Sequence, residues 1–455
     1  MKKIVMNIFY MGIVSIVVFF NISCEPISLK TTIDDMVLGW SHEVTLTTPA
    51  DGVGIAEKTP LLEWEDAGGA TGYELQISDS ESFDGVSTIN INEAVSQYEI
   101  PDELTICDIK YWRVRAVKDG EASEVWSETR SFEIEVSQTP KLVGQLNTGG
   151  SGFESVIDGD YAYNANGFAG LQIINISDPT NPVLTATIFG GVNEEVSKPV
   201  AKRGQYILFE EKGNPGPPNK LVIYDVSDPA NPTLKGDCDV VYGGENYTTI
   251  SIVVWTENEA LLLVENKEDT PTEAPYGIMR ADLYDLNSPS NKAGSMVEIT
   301  GGLPWSLQAE GTTAVISVND TGLLVYDILS HNFVGEYSIP DQLYGNVAIN
   351  DGTAFVTSKN GPLQIIDISN TTSPSLVSTY APDNGTTGGV SIFGHYAFVV
   401  KEQGYVMYIV DIKDLSNLEL ITTFDTFILA PQNNYGCAQN TITGMFNIVD
   451  LVPED

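Results

Sequence analysis

Basic residues, histidine and cysteine are scarce in this 455-residue chain, and each shortage removes a class of chemistry. Against 62 aspartates and glutamates stand 22 lysines and arginines, a formal charge of −40. Such a surface repels phosphate backbones, which argues against nucleic acid as a partner; solubility of an exposed protein accounts for the charge. Three histidines, His42, His331 and His395, leave imidazole-based catalysis little to work with. His42 is isolated, and the other two fall in turns between strand-like stretches. The four cysteines, Cys24, Cys107, Cys238 and Cys437, are too few and too scattered for a disulfide framework. The chain carries no GxSxG elbow, HExxH pair, Walker glycine loop or CxxC, so these patterns mark no catalytic residue, no metal ligands and no cofactor. After the first 24 residues no apolar run approaches membrane-spanning length.

What is present is turn-rich: 41 glycines and 23 prolines in a chain that is 42% hydrophobic, the composition of an all-β protein of more than one domain. Residues 1–24 read as an export signal, with Lys2 and Lys3, an apolar run from Ile4 to Phe20, and then Asn21-Ile22-Ser23-Cys24. This ending resembles a bacterial lipoprotein signal. The resemblance implies lipid attachment at Cys24 and anchorage at the cell envelope, in the outer membrane; the competing reading is a secretory signal with an incidental cysteine. Residues 25–43 lack periodicity and read as a tether, reaching at most about 60 Å when fully extended.

Between 44 and 136 short alternating stretches follow one another, among them Leu61-Leu62-Glu63-Trp64, Gly72-Tyr73-Glu74-Leu75-Gln76-Ile77-Ser78 and Tyr111-Trp112-Arg113-Val114-Arg115-Ala116. In the last, Trp112, Val114 and Ala116 share one face and the arginines the other, a strand with a core side and a wet side. The order Trp64, Tyr73, Leu104, then Trp126-Ser127 before the final strand resembles a fibronectin type III domain, which implies a β-sandwich. Trp64 and Trp112 are read as core.

Residues 137–455 repeat one stretch, seen most fully as Leu221-Val222-Ile223-Tyr224-Asp225-Val226-Ser227-Asp228-Pro229-Ala230-Asn231-Pro232. It is a strand apolar on both faces, stopped by prolines that lack an N–H and restrict the residue before them. Seven copies place Asn175, Asp225, Asp285, Asp327, Asp367, Asp411 and Asp450 at one shared position, with successive intervals of 50, 60, 42, 40, 44 and 39 residues. Before most copies a Gly-containing turn leads into another apolar strand, as in Asp351-Gly352-Thr353-Ala354-Phe355-Val356. Four strands per period make a blade, and seven blades a propeller. The last copy lacks a strand after its turn, whereas Pro140-Lys141-Leu142-Val143-Gly144 precedes the first blade, so residues 140–146 are expected to complete the seventh. The copies resemble the LVIVD repeat of bacterial exported proteins, which implies the propeller architecture and little about activity.

The expected fold is therefore all-β: leader 1–24, tether 25–43, a fibronectin type III-like sandwich over 44–136 and a seven-bladed propeller over 137–455. Because the aspartates recur once per blade, they read as scaffold, accepting hydrogen bonds from a neighbouring turn. Function is expected where the copies differ. Phe153, Trp305, Tyr344 and Tyr435, assigned to loops entering the first strand of a blade, are the candidate ligand-binding residues, with the polar loop 266–277 as a second contact surface. The expected partner is a protein or glycan at the envelope, bound for adhesion or scaffolding. The alternative is a carbohydrate-active lyase or hydrolase using channel carboxylates.

Overall fold

In the computed structural model the described residues are 43–150, 154–189, 196–212, 219–266, 275–291, 296–339, 345–359, 361–382, 385, 387–401, 406–425, 430–440 and 444–453. They form strands and turns with no helix. Two compact units emerge: one from residues up to Ala50 with Leu61–Tyr98 and Tyr111–Arg130, the other from Asp51–Pro60, Glu99–Lys110 and the chain from Ser131 onward.

In the first unit Leu46–Thr48 pairs antiparallel with Leu61–Trp64, and Gly72–Ser78 pairs antiparallel with both Ile89–Ile91 and the stretch from Tyr111 to Val117. The alternation seen in sequence is the alternation of burial. Leu62, Leu75, Trp112, Val114 and Ala116 have no exposed surface, while Arg113 and Arg115 lie over the Trp126 ring on the other face. Trp64 and Tyr73, both buried, meet edge to face with ring centres 5.3 Å apart. The Tyr73 hydroxyl accepts from the Ala67 amide at 3.0 Å, so this tyrosine holds the turn upstream of its own strand.

The second unit is a ring of seven sheets. In the second blade the strands run in order Val196–Arg203, Tyr206–Glu211, Lys220–Asp225 and Thr233–Asp239. Leu221, Val222 and Ile223 are all buried, because the third strand packs on neighbouring sheets through both faces. Each such side chain contributes about 1.5–3 kcal/mol by leaving water. The first strands of successive blades adjoin one another, and the circle closes where Glu154–Asp158 of blade one meets Ala430–Gln432 of blade seven. Closure is also made by strand pairing between the two ends of the repeat region: Lys141–Asn147, which precedes blade one in the chain, pairs antiparallel with Met445–Asp450 as the outer strand of blade seven. The placement of 140–146 expected from sequence is the one the register shows. Between blades seven and one, Phe446, Ile448 and Cys437 pack with Ala162 and Ile174. A linear stack would leave those faces wet.

A second device ties blades together. In every regular outer strand a small residue follows the bulge: Gly144, Ala186, Gly236, Gly335, Ser378 and Thr422, opposite Ile448, Ile173, Ile223, Val325, Ile365 and Ile409. The proline-rich turn of the next blade lies on it. A Cβ on Gly144 would collide with the Pro179 carbonyl, one on Gly236 with that of Leu286, and one on Gly335 with that of Thr371. At the same place Ser378 Oγ donates to the Leu415 carbonyl. The turn that ends one repeat is thus also its clamp on the preceding blade.

Candidate functional site

Each propeller blade ends its third strand the same way. Asn175, Asp225, Asp282, Asp327, Asp367, Asp411 and Asp450 each accept, through a side-chain oxygen, the amide two residues on, at 2.7–3.0 Å. The residue following each one donates its amide to the second residue of the hairpin turn, as from Val226 to Gln205, Ile412 to His395 and Leu451 to Asn434. These bonds hold the Asp225, Asp327 and Asp367 carboxyls below their ordinary range, chiefly through the hydroxyls of Ser227, Ser330 and Ser369. The aspartates therefore cap turns. One assignment made from sequence is corrected: in the third copy the shared position belongs to Asp282, not Asp285. Asp282 lies opposite Glu259 at the strand end, whereas Asp285 accepts from Asn287 inside the following turn, where Asp228 stands in the second blade. In the fifth blade Gly352 holds the turn position that His395 holds in the sixth.

In blades six and seven this end of the ring is occupied by segments 51–60, 99–110 and 131–139 of the same unit. Lys58, 4% exposed, donates to Asp450 at 2.7 Å and to the Tyr435 hydroxyl at 3.2 Å. Asn434 accepts from the Ile106 amide and donates to the Leu104 carbonyl. His395 Nδ1 lies 3.4 Å from Cys107 Sγ and 3.3 Å from Glu133 Oε1, and Lys413 reaches Glu133 Oε2 at 2.9 Å. Burial and the nearby Lys413 charge push the His395 imidazole below its ordinary value; burial pushes the Cys107 thiol up. The turn position that is Gly or a small polar residue elsewhere has become a contact point here. His395, read from sequence as one turn residue among siblings, is therefore part of a cluster. Its partners lie 288 and 262 positions away, so no local spacing could have revealed it.

Of the candidate ligand-binding residues, Phe153 and Tyr344 lie outside the described residues, as do Cys24 and most of the loop 266–277. Trp305 is the second residue of its blade's first strand, Pro304–Glu310, and is 36% exposed. Tyr435 does not enter a first strand. It opens the second strand, Tyr435–Asn440, beside the strand end at Asp450, so the register puts it at the end of the ring opposite Trp305. Its hydroxyl and ring are engaged by Lys58, which removes it as a free stacking platform. A residue not picked from sequence shares the Trp305 end. Phe168, 61% exposed, sits in the turn between the second and third strands of blade one. At the other end Tyr284, in the turn after Asp282, is 83% exposed.

Comparison with known proteins agrees with this geometry. The LVIVD repeat model matches residues 150–188, 217–240, 345–381 and 384–426, and the N-terminal immunoglobulin domain of Rha78A-like proteins matches residues 42–138. Among solved structures, the β-propeller domain of Cps50 (Swd1) from Myceliophteria thermophila superposes with a TM-score of 0.54 at 11% identity, covering 69% of this chain and 99% of that one. BamB from Moraxella catarrhalis gives 0.46 at 12% identity, covering 70% and 99%, and the computationally designed Ika8 protein 0.46 at 9%, covering 75% and 90%. No curated protein sequence matches. The chain carries LVIVD repeats folded as a β-propeller and an immunoglobulin-like N-terminal domain.

Proposed function

We propose that this protein is an exported, lipid-anchored component of a bacterial cell envelope, held in the outer membrane through Cys24, that binds a protein or glycan. The binding surface is the end of the propeller carrying Trp305 and Phe168. The observation that supports the choice of surface is that these two aromatics are exposed at one end, while at the other end blades six and seven are engaged by the chain's own segments and Tyr284 is exposed in blade three. Exposed aromatic side chains lose little conformational entropy on binding and offer faces to sugars and apolar side chains alike, which makes them frequent anchors.

The test is an array of envelope polysaccharides and secreted proteins probed with the full chain. Trp305→Ala and Phe168→Ala should each weaken a captured partner by about 30-fold, the loss of an anchor worth about 2 kcal/mol, while Tyr284→Ala leaves it intact. Equal loss in Tyr284→Ala, or no capture at all, rules the surface out. Anchorage is tested separately, by incorporation of a labelled fatty acid that Cys24→Ser abolishes.

A further inference from the structure

We propose that Cys107, Glu133 and His395 form a binding site for one Zn2+ ion. The three ligand atoms, Sγ, Oε1 and Nδ1, lie within 4.8 Å of one another. The separations of 3.4 Å from sulfur to nitrogen and 3.3 Å from nitrogen to oxygen match a ligand sphere. A tetrahedral zinc with bonds of about 2.3 Å to sulfur and about 2.0–2.2 Å to nitrogen and oxygen holds its ligand atoms about 3.3–3.6 Å apart.

The Cys107 sulfur also takes a hydrogen bond from the His395 backbone, but hydrogen bonding does not account for the sharing of Nδ1. Both contacts fall on the same ring nitrogen. If Nδ1 carries a proton it serves the carboxylate, and the thiol has no lone pair there to donate to. If Nδ1 is bare it accepts from the thiol and turns a lone pair towards an anionic oxygen. A cation at the common centre satisfies all three at once. Nε2 of the same ring is buried with no hydrogen-bond partner among the described residues, so the imidazole is oriented at Nδ1 and by its tilted contact with the Tyr396 ring, centres 4.2 Å apart.

The surroundings are those of a built site. Cys107 holds a left-handed backbone, φ +70°, which a residue with a Cβ adopts at a cost, and it is kept there by a hydrogen bond from its amide N–H to the Ile134 carbonyl at 2.8 Å. Opposite it stands Gly394, where any side chain would overlap the Cys107 sulfur. Lys413 takes the second oxygen of Glu133 and leaves Oε1 facing the centre, the outer-shell contact that orients a ligating carboxylate. The same ammonium approaches Glu135 at 3.5 Å, so its charge is shared outside the ligand set. Cys107, Glu133 and His395 are each only partly buried, which leaves an entry path and a fourth position for water. On binding, the Cys107 thiol gives its proton to solvent and the thiolate takes the metal.

Cobalt(II) titration of the full chain tests the assignment. One equivalent should produce a thiolate-to-cobalt charge-transfer band that Zn2+ abolishes, that is absent in Cys107→Ser and His395→Ala, and that persists in Cys238→Ser. No band in the parent chain, or a band surviving Cys107→Ser, overturns it. A measurement free of variants accompanies this. With Zn2+ at about ten times its Kd, alkylation of Cys107 should slow about tenfold, since only unliganded thiol reacts, and alkylation of Cys238 should not change. Equal Cys107 labelling with and without Zn2+ is incompatible with the site.

Discussion

The ammonium of Lys58 lies 2.7 Å from Oδ2 of Asp450, with only 5% and 10% of the two side chains exposed. Residues 392 positions apart thus share a buried charge pair on the turn that ends the last repeat. Removing one partner leaves the other buried without its counter-charge, a loss of about 3 kcal/mol. Lys58→Met and Asp450→Ala should each lower the urea midpoint of the propeller by a corresponding amount, and Lys58→Met combined with Asp450→Asn should recover part of it. Single variants that unfold with the parent chain would show that the pair carries no net stability.

Alkaline pH should loosen the same region. Burial pulls the Lys58 ammonium down, but hydrogen bonds to Asp450 and Tyr435 raise it overall, and burial raises the Tyr435 phenol. Both folded-state values lie above their unfolded ones, so both contributions are complete below the unfolded values and fade as pH rises through the folded ones. Tyr163, pushed up to about 12 by burial, acts with the same sign. The Cys107, Cys238 and Cys437 thiols, also pushed up by burial, add the same sign at lower pH, so stability measured by denaturant titration should fall from about pH 9 upward. In Lys58→Met the decline should be shallower; an identical slope would refute the linkage.

Deleting residues 137–146 removes the outer strand of blade seven and leaves Met445–Asp450 an unpaired edge. The melting temperature should drop sharply and the product should associate through that edge. A deletion that melts with the parent chain would mean the ring does not depend on this closure.

The clamp between blades predicts where a methyl group is intolerable. Gly236→Val drives its side chain into the Leu286 carbonyl and Pro289, and Gly144→Val does the same against Pro179 and Pro182. Overpacking of this kind costs about 1–3 kcal/mol. At Gly159, whose Cβ would meet open space, the cost of substitution is backbone strain alone, φ being +55°. Thermal melts should therefore rank Gly236→Val below Gly159→Asn, since Asn tolerates the left-handed region; the reverse order would sink the clamp.

Much of the fold was legible because it is local. Alternation marks Tyr111–Ala116, the prolines of 229–232 stop a strand, and glycine at 159, 204, 311 and 394 supplies the positive φ of a hairpin turn. Legibility failed where local signals are ambiguous. The third copy has two aspartates three apart, Asp282 and Asp285, in an eroded turn without the first proline. Only the ladder partner at Glu259 says which one ends the strand.

The sequence by itself determined a repeating four-strand unit, its turn chemistry and the circular closure through 140–146, since these depend on neighbours in the chain and on a count of strands. Tertiary structure alone decided which turns stay open and which are taken. Asn434 and His395 look like their siblings in sequence, yet one receives Ile106 and the other meets Cys107 and Glu133. Those meetings join positions hundreds of residues apart, and they arise from the packing of segments whose own periodicity says nothing about where they dock.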